Sequence, residues 1–136
     1  MDKAASVLVE LGRWGLCSLF ILGGTNKIAN PQSAVDMMAE VGLPAPSILL
    51  WAVIALELGG GLLVAAGAYV KFFRVAAVMA LVLAAHTLAT NVLLHDFWAR
   101  EGVRAELELS LFFKNIAVMG GLILIAGLYG REAAAC

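Results

Sequence analysis

Apolar residues in this chain fall into four long blocks, each close to the length that crosses a bilayer. Crossing the hydrocarbon takes about 20 apolar residues at 1.5 Å rise each. The first block runs from about residue 6 to 28 and is ended by Asn30-Pro31. The second runs from 47 to 70, after Pro44-Ala-Pro46, where helix is disfavoured ahead of each proline. The third covers 72–94 and the fourth 109–129. This pattern predicts an all-α membrane protein, a bundle of four transmembrane helices forming one domain over 1–136. Only Lys71 and its neighbours separate spans two and three, which predicts a tight antiparallel pair. No small-residue cleavage site follows the first block, so it reads as a retained span and not a cleaved signal peptide.

Two connecting segments have patterns of their own. Between spans one and two, Val35, Met38 and Val41 recur every third residue, opposite Gln32, Asp36 and Glu40. Asn30 is placed to cap a helix there, Pro31 suits its first turn, and Gly42 suits its end. The expected form is a short helix lying in the interface. Between spans three and four, residues 95–108 open with His95-Asp-Phe-Trp98 and then become strongly charged. Phe97 and Trp98 suit the headgroup level, where aromatic rings are favoured.

Composition agrees with a lipid-solvated chain. Apolar residues make up 62% and charged residues 14%, against roughly 45–50% and 25% in soluble domains. Nine basic residues against ten acidic ones give no positive field for nucleic acid. The distribution of charge is more useful than its sum. Lys3, Lys71, Arg74 and Arg131 gather at one side, with Arg13 nearer that side, while Arg100 and Arg104 occupy the other. The positive-inside rule then predicts both termini in the cytoplasm, with the short helix and the 95–108 segment facing outward.

Ionisable groups within the spans are few: Glu10, Arg13, Lys27, Glu57, His86 and Lys114. Such groups in hydrocarbon usually turn towards the bundle interior. Glu10 and Arg13 sit at i and i+3 and are expected to form a structural ion pair. Counted from the outer ends, Lys114 lies about 8 Å deep, His86 about 12 Å and Glu57 about 16 Å. One outer cavity would gather all three, with Glu57 as the expected partner of Lys114, although a polar knot that only fixes packing has the same signature. His86, Thr87, Thr90 and Asn91 share an arc of about 140° on the third span. Ala76, Ala80 and Ala84, like Ala52, Ala55 and Gly59, read as positions of close helix approach.

Candidate cofactor chemistry is sparse. His86 and His95, nine residues apart, fall on opposite sides of a continuous helix and would not clasp one haem. Cys17 and Cys136 form no C-x-x-C motif, and no H-E-x-x-H, P-loop or cysteine cluster is present. No catalytic residue, metal site or covalently bound cofactor is expected.

Several segments in order carry a family resemblance: Arg13 with Phe20-Ile-Leu-Gly-Gly-Thr-Asn-Lys27-Ile, Val41-Gly-Leu-Pro-Ala-Pro46, Glu57-Leu-Gly-Gly-Gly61, His95-Asp-Phe-Trp98, and Phe113-Lys-Asn-Ile-Ala-Val-Met-Gly-Gly121. With these the chain resembles the DoxX family of small four-helix membrane proteins along nearly its whole length. Many members have a glutamine shortly before the Lys-Asn pair; Glu106 and Glu108 stand in that region here. The resemblance implies a bacterial inner-membrane protein associated with membrane redox systems, including quinol oxidase and thiosulfate:quinone oxidoreductase assemblies. It therefore implies an accessory subunit bordering a quinone or quinol site, non-catalytic alone, with quinone or lipid as the non-covalent ligand. Lys114, Asn115, His86, Glu57, Trp98, Asn26 and Lys27 are the candidate ligand-binding residues, with Trp98 at the entrance. The rival reading is a structural anchor or assembly subunit that docks a redox partner through the 95–108 loop and holds no ligand. A small-solute carrier is weaker, because spans one and two do not visibly repeat as three and four. Partners on these readings are the lipid bilayer and other redox-complex subunits or a second copy.

Overall fold

A computed structural model describes residues 3–136, and among them every regular element is helical. Helix α1 spans Lys3–Ala29, α2 Pro31–Glu40, α3 Pro46–Ala66, α4 Phe73–Leu94 and α5 Gly102–Ala135, with a 3₁₀ turn at Phe97–Ala99. The four long helices are each apolar and long enough to cross a membrane. At 34 residues, α5 begins inside what reads from sequence as the charged connecting loop. Its length of about 51 Å exceeds the roughly 30 Å of hydrocarbon, so its charged first turns extend past the apolar layer.

Local chemistry explains the breaks. Asn30 precedes α2 but makes no side-chain cap; its Nδ2 donates instead to Oδ1 of Asn26, at 3.2 Å. Gly42 ends α2 with a positive φ of 74°. There Leu43 N–H donates to Met38 O and Gly42 N–H to Ala39 O, both at 3.0 Å, the bond pair of a Schellman ending. Leu43 packs beside Met38, so the same turn seats α2 on the start of α3. Ala45, pinned between two prolines, takes a left-handed conformation, and its carbonyl accepts from Ile48 N–H and Leu49 N–H.

The bundle closes in the order α1, α3, α4, α5, with the seam between α1 and α5 the slightest. Helices α3 and α4 are joined by a short turn and do pack, but α4 with α5 and α1 with α3 are the more extensive pairs. Side-chain size decides this. On α3, Gly61 would bring an added Cβ within 3.3 Å of Phe20 on α1, so glycine admits that helix closely. Ala76, Ala80 and Ala84 are buried, as expected of small contact residues. Ala52, Ala55 and Gly59 instead face outward, because α3 turns Glu57, Gly60 and Gly61 inward on its other side. Large apolar side chains such as Leu8, Leu22, Ile48, Val78 and Leu124 cover the outside, as a lipid-facing surface requires.

At the end bearing the termini, Glu10 and Arg13 form their ion pair on α1. Arg13 is buried over the rings of Tyr69 and Tyr129, 5.7 and 5.4 Å from their centroids. Tyr69 Oη donates to Glu10 at 2.6 Å, and Tyr129 Oη to the Val64 carbonyl. These bonds tie α1, the α3–α4 turn, α3 and α5 together, and the groups are consumed in packing.

Candidate functional site: a polar cavity beneath α2

The opposite half of the bundle is open. A cavity of about 440 Å³ lies among α1, α2, α3 and α4. Most of its wall is apolar: Met37 and Met38 on α2, Leu49 and Val53 on α3, Leu93 and Leu94 on α4. Its charged wall is a cluster drawn from three helices. Lys27 Nζ, in the last turn of α1, donates to Glu57 Oε1 at 3.0 Å and Oε2 at 2.8 Å. His86 Nε2, on α4, lies 3.1 Å from Glu57 Oε1. Glu57 is 7% exposed, so two partners replace the water it has lost.

The backbone makes room for this cluster. A Cβ at Gly23 would stand 3.3 Å from Glu57 Oε2 and 3.7 Å from Lys27 Nζ, so glycine one turn before Lys27 leaves space for the carboxylate. Gly24 takes the Leu58 side chain, at 2.7 Å from the position of an added Cβ. Two adjacent glycines thus let α1 meet Glu57 and Leu58 in successive contacts.

A second imidazole, that of His95, lines the same cavity and pairs with a carboxylate on α5. Helix α4 ends at Leu94, and His95 leaves it with φ −110° and ψ 55°. Continuous helical geometry would place His95 opposite His86; the break brings both to the one cavity. His95 Nδ1 lies 2.8 Å from Glu108 Oε2 on α5. Glu108 thus has a partner of its own. Nearby, Arg100 Nε donates to Asp96 Oδ1 at 2.8 Å, and that bond holds the guanidinium above its ordinary range.

Four of the seven candidate residues, Asn26, Lys27, Glu57 and His86, line this cavity; the other three lie elsewhere. Lys114 is exposed on α5 and has no ion pair among the described residues. The expected Lys114–Glu57 partnership is replaced by Lys27–Glu57, because α5 carries Lys114 on its outward side. Asn115 Nδ2 donates to Asn91 Oδ1, and Asn91 Nδ2 to the Phe112 carbonyl, both at 3.1 Å. With Asn91 fully buried, that chain is a polar weld between α4 and α5. Trp98 is 60% exposed and packs edge-on with Phe97 and Phe112, outside the cavity wall. The α4 arc divides accordingly: His86 and Thr90 face the cavity, Thr87 donates to Leu83 O, and Asn91 faces α5. His95 and the α2 methionines were not legible as cavity residues; the Leu94-His95-Asp96 helix end opposite Glu108 was the available signal for the histidine.

Four membrane-length helices, a short helix over an inward carboxylate and a cation donated by α1 define a class of small polytopic membrane protein. The DoxX family model matches residues 8–96. The chain is 25% identical to the inner membrane protein YphA of Escherichia coli K12, over 90% of this chain and 84% of that protein. It is 34% identical to the inner membrane protein YqjF of the same organism, over 93% of this chain and 87% of that one. No solved structure matches. The chain belongs to the DoxX family.

Proposed function

We propose that the protein is an accessory subunit of an inner-membrane oxidoreductase complex and that its α2-side cavity holds a quinone or quinol. The observation carrying this reading is the cavity's division into an apolar wall and one charged cluster, Lys27–Glu57–His86. Ligand sites of this kind surround an apolar body with few, well-placed polar groups. A volume of about 440 Å³ suits a substituted ring and the first part of an isoprenoid tail. Lys27 supplies a donor to a ring oxygen, His86 a group able to exchange a proton, and Glu57 balances their charge. The chain holds no redox centre of its own on this reading, so electrons come from a partner subunit. Both termini lie in the cytoplasm, and the cavity faces the outer leaflet.

The anchor reading keeps one specific support: exposed Trp98, in the 3₁₀ turn, packs on Phe112 of α5, beside exposed Phe113 and Lys114. Such a patch suits docking as well as headgroup contact. Purification from native membranes in mild detergent separates the readings. Co-elution of quinone together with dehydrogenase or oxidase subunits is expected; partner subunits without any quinone would favour the anchor.

A further inference from the structure

At the end of the bundle that bears the termini, Arg13 has one donor more than its packing uses. Its guanidinium is 4% exposed, pairs with Glu10 through Nη2 and lies over the rings of Tyr69 and Tyr129. Its Nε–H is buried as well and has no acceptor among the described residues. On α5, Oε2 of Glu132 is buried and has no donor among them. The two orphans border one gap. Val9 and Arg13, one turn apart on α1, face Ile125, Leu128, Tyr129 and Glu132, which recur at three- and four-residue spacing on α5. The gap that these six residues line measures about 10 Å³. Among the described residues Arg13 pairs with Glu10 and not with Glu132, so donor and acceptor stand across the gap and not in contact.

We infer that this gap is a binding site for one water molecule, which accepts from Arg13 Nε–H and donates to Glu132 Oε2. Size, charge and hydrogen-bond sense all select water. The volume is about that of one water-sized sphere, the least that admits a molecule. A small cation would meet the guanidinium and a small anion the carboxylate, so neither ion suits the site. The two polar atoms have opposite sense, and a molecule of this size that both accepts and donates satisfies the pair. Each orphan would be costly if left buried alone, and one bridging water removes both costs. The link falls where packing is thinnest. The seam between α1 and α5 is the slightest in the bundle, with Leu16 seated on Gly121 deeper inside. The chain Glu10–Arg13–water–Glu132 joins α1 to α5 there, and Tyr69 carries it to the α3–α4 turn. The site lies at the opposite end of the bundle from the α2-side cavity and is independent of what that cavity holds.

The test is proton-detected solid-state NMR of the full, isotopically labelled chain in lipid bilayers. Arg13 Nε–H should transfer magnetisation directly to a water proton, while Nε itself stands too far from the Glu132 carboxylate for a direct hydrogen bond. Glu132→Leu removes the acceptor and should abolish the water contact; Glu132→Gln keeps an accepting oxygen and should retain it. Direct hydrogen bonding between Arg13 Nε and Glu132 would put an ion pair in place of the water and overturn the inference. An Nε–H with no water contact overturns it as well. So does a contact that survives Glu132→Leu, because the molecule would then be held without Glu132. The wild-type spectrum decides the first two outcomes whether or not either variant folds.

Discussion

Removing one member of the Lys27–Glu57 pair should cost more than removing both. The Glu57 side chain is 9% exposed, so Lys27→Met leaves a carboxylate in an apolar wall with only His86 beside it. Stranding a buried charge costs about 3–5 kcal/mol. The low end, about 3 kcal/mol, applies here because the His86 ring still stands 3.1 Å from one carboxylate oxygen. Glu57→Gln strands the ammonium instead, but the Lys27 side chain is 26% exposed and stands in the last turn of α1. Its stem can carry the charge to the headgroups, which reduces the expected loss to about 1–2 kcal/mol. The double variant leaves no charge behind and should lie within about 1 kcal/mol of the parent, since buried pairs barely repay their desolvation. The expected coupling is therefore at least about 3 kcal/mol, at or above the upper range for contacting residues. Reversible SDS titration of the micelle-bound protein, followed by circular dichroism, measures all three variants. A double variant as unstable as the sum of the singles would refute the reasoning, because the two residues would then act independently.

Other outcomes follow from the same structure. Lys114→Met should change stability by no more than about 0.5 kcal/mol, whereas Asn91→Ala, which breaks the weld to Phe112 and Asn115, should cost about 1–2 kcal/mol in the same titration. Gly67→Ala would place a Cβ 2.5 Å from that of Ala76 and should destabilise by about 1–3 kcal/mol. Gly15→Ala meets nothing within 4 Å and should be neutral or slightly stabilising, so thermal denaturation should rank the two alanine variants in that order. In detergent, exposed Cys136 should react with maleimide while buried Cys17 does not. In intact cells an impermeant reagent should label a cysteine placed at 99–103 and spare Cys136; the reverse pattern would invert the orientation proposed above.

The helices were legible in the sequence because span length and breakers are local. Asn30-Pro31, Gly42 and Pro44-Ala-Pro46 each punctuate the chain where the structure does. Glu57 and His86 were legible as inward groups because any charge at that depth needs a partner. Which lysine supplies it was not. Depth along a helix follows from counting, but rotation about its axis is normally read from an apolar stripe, and helices apolar on every face have none. Lys114 and Lys27 were therefore indistinguishable by cost, and only packing turned one outward and the other onto Glu57. The position of His95 failed for another reason: helical projection holds only while the helix continues, and α4 stops one residue earlier. The α3 stripe of Ala52, Ala55 and Gly59 shows the same gap, since small residues mark close approach only on the side that meets a neighbour.

The central claim, that the α2-side cavity is where a quinone or quinol binds, is tested most directly by photoaffinity labelling in native membranes. A diazirine-bearing quinone analogue would be cross-linked, and the labelled peptides located by mass spectrometry. Labels are expected on α2 around 33–38 and on α4 around 89–94, suppressed by excess unmodified quinone and reduced in Glu57→Gln. Labels confined to the Trp98–Phe113 surface, or labels that excess quinone does not displace, would contradict it.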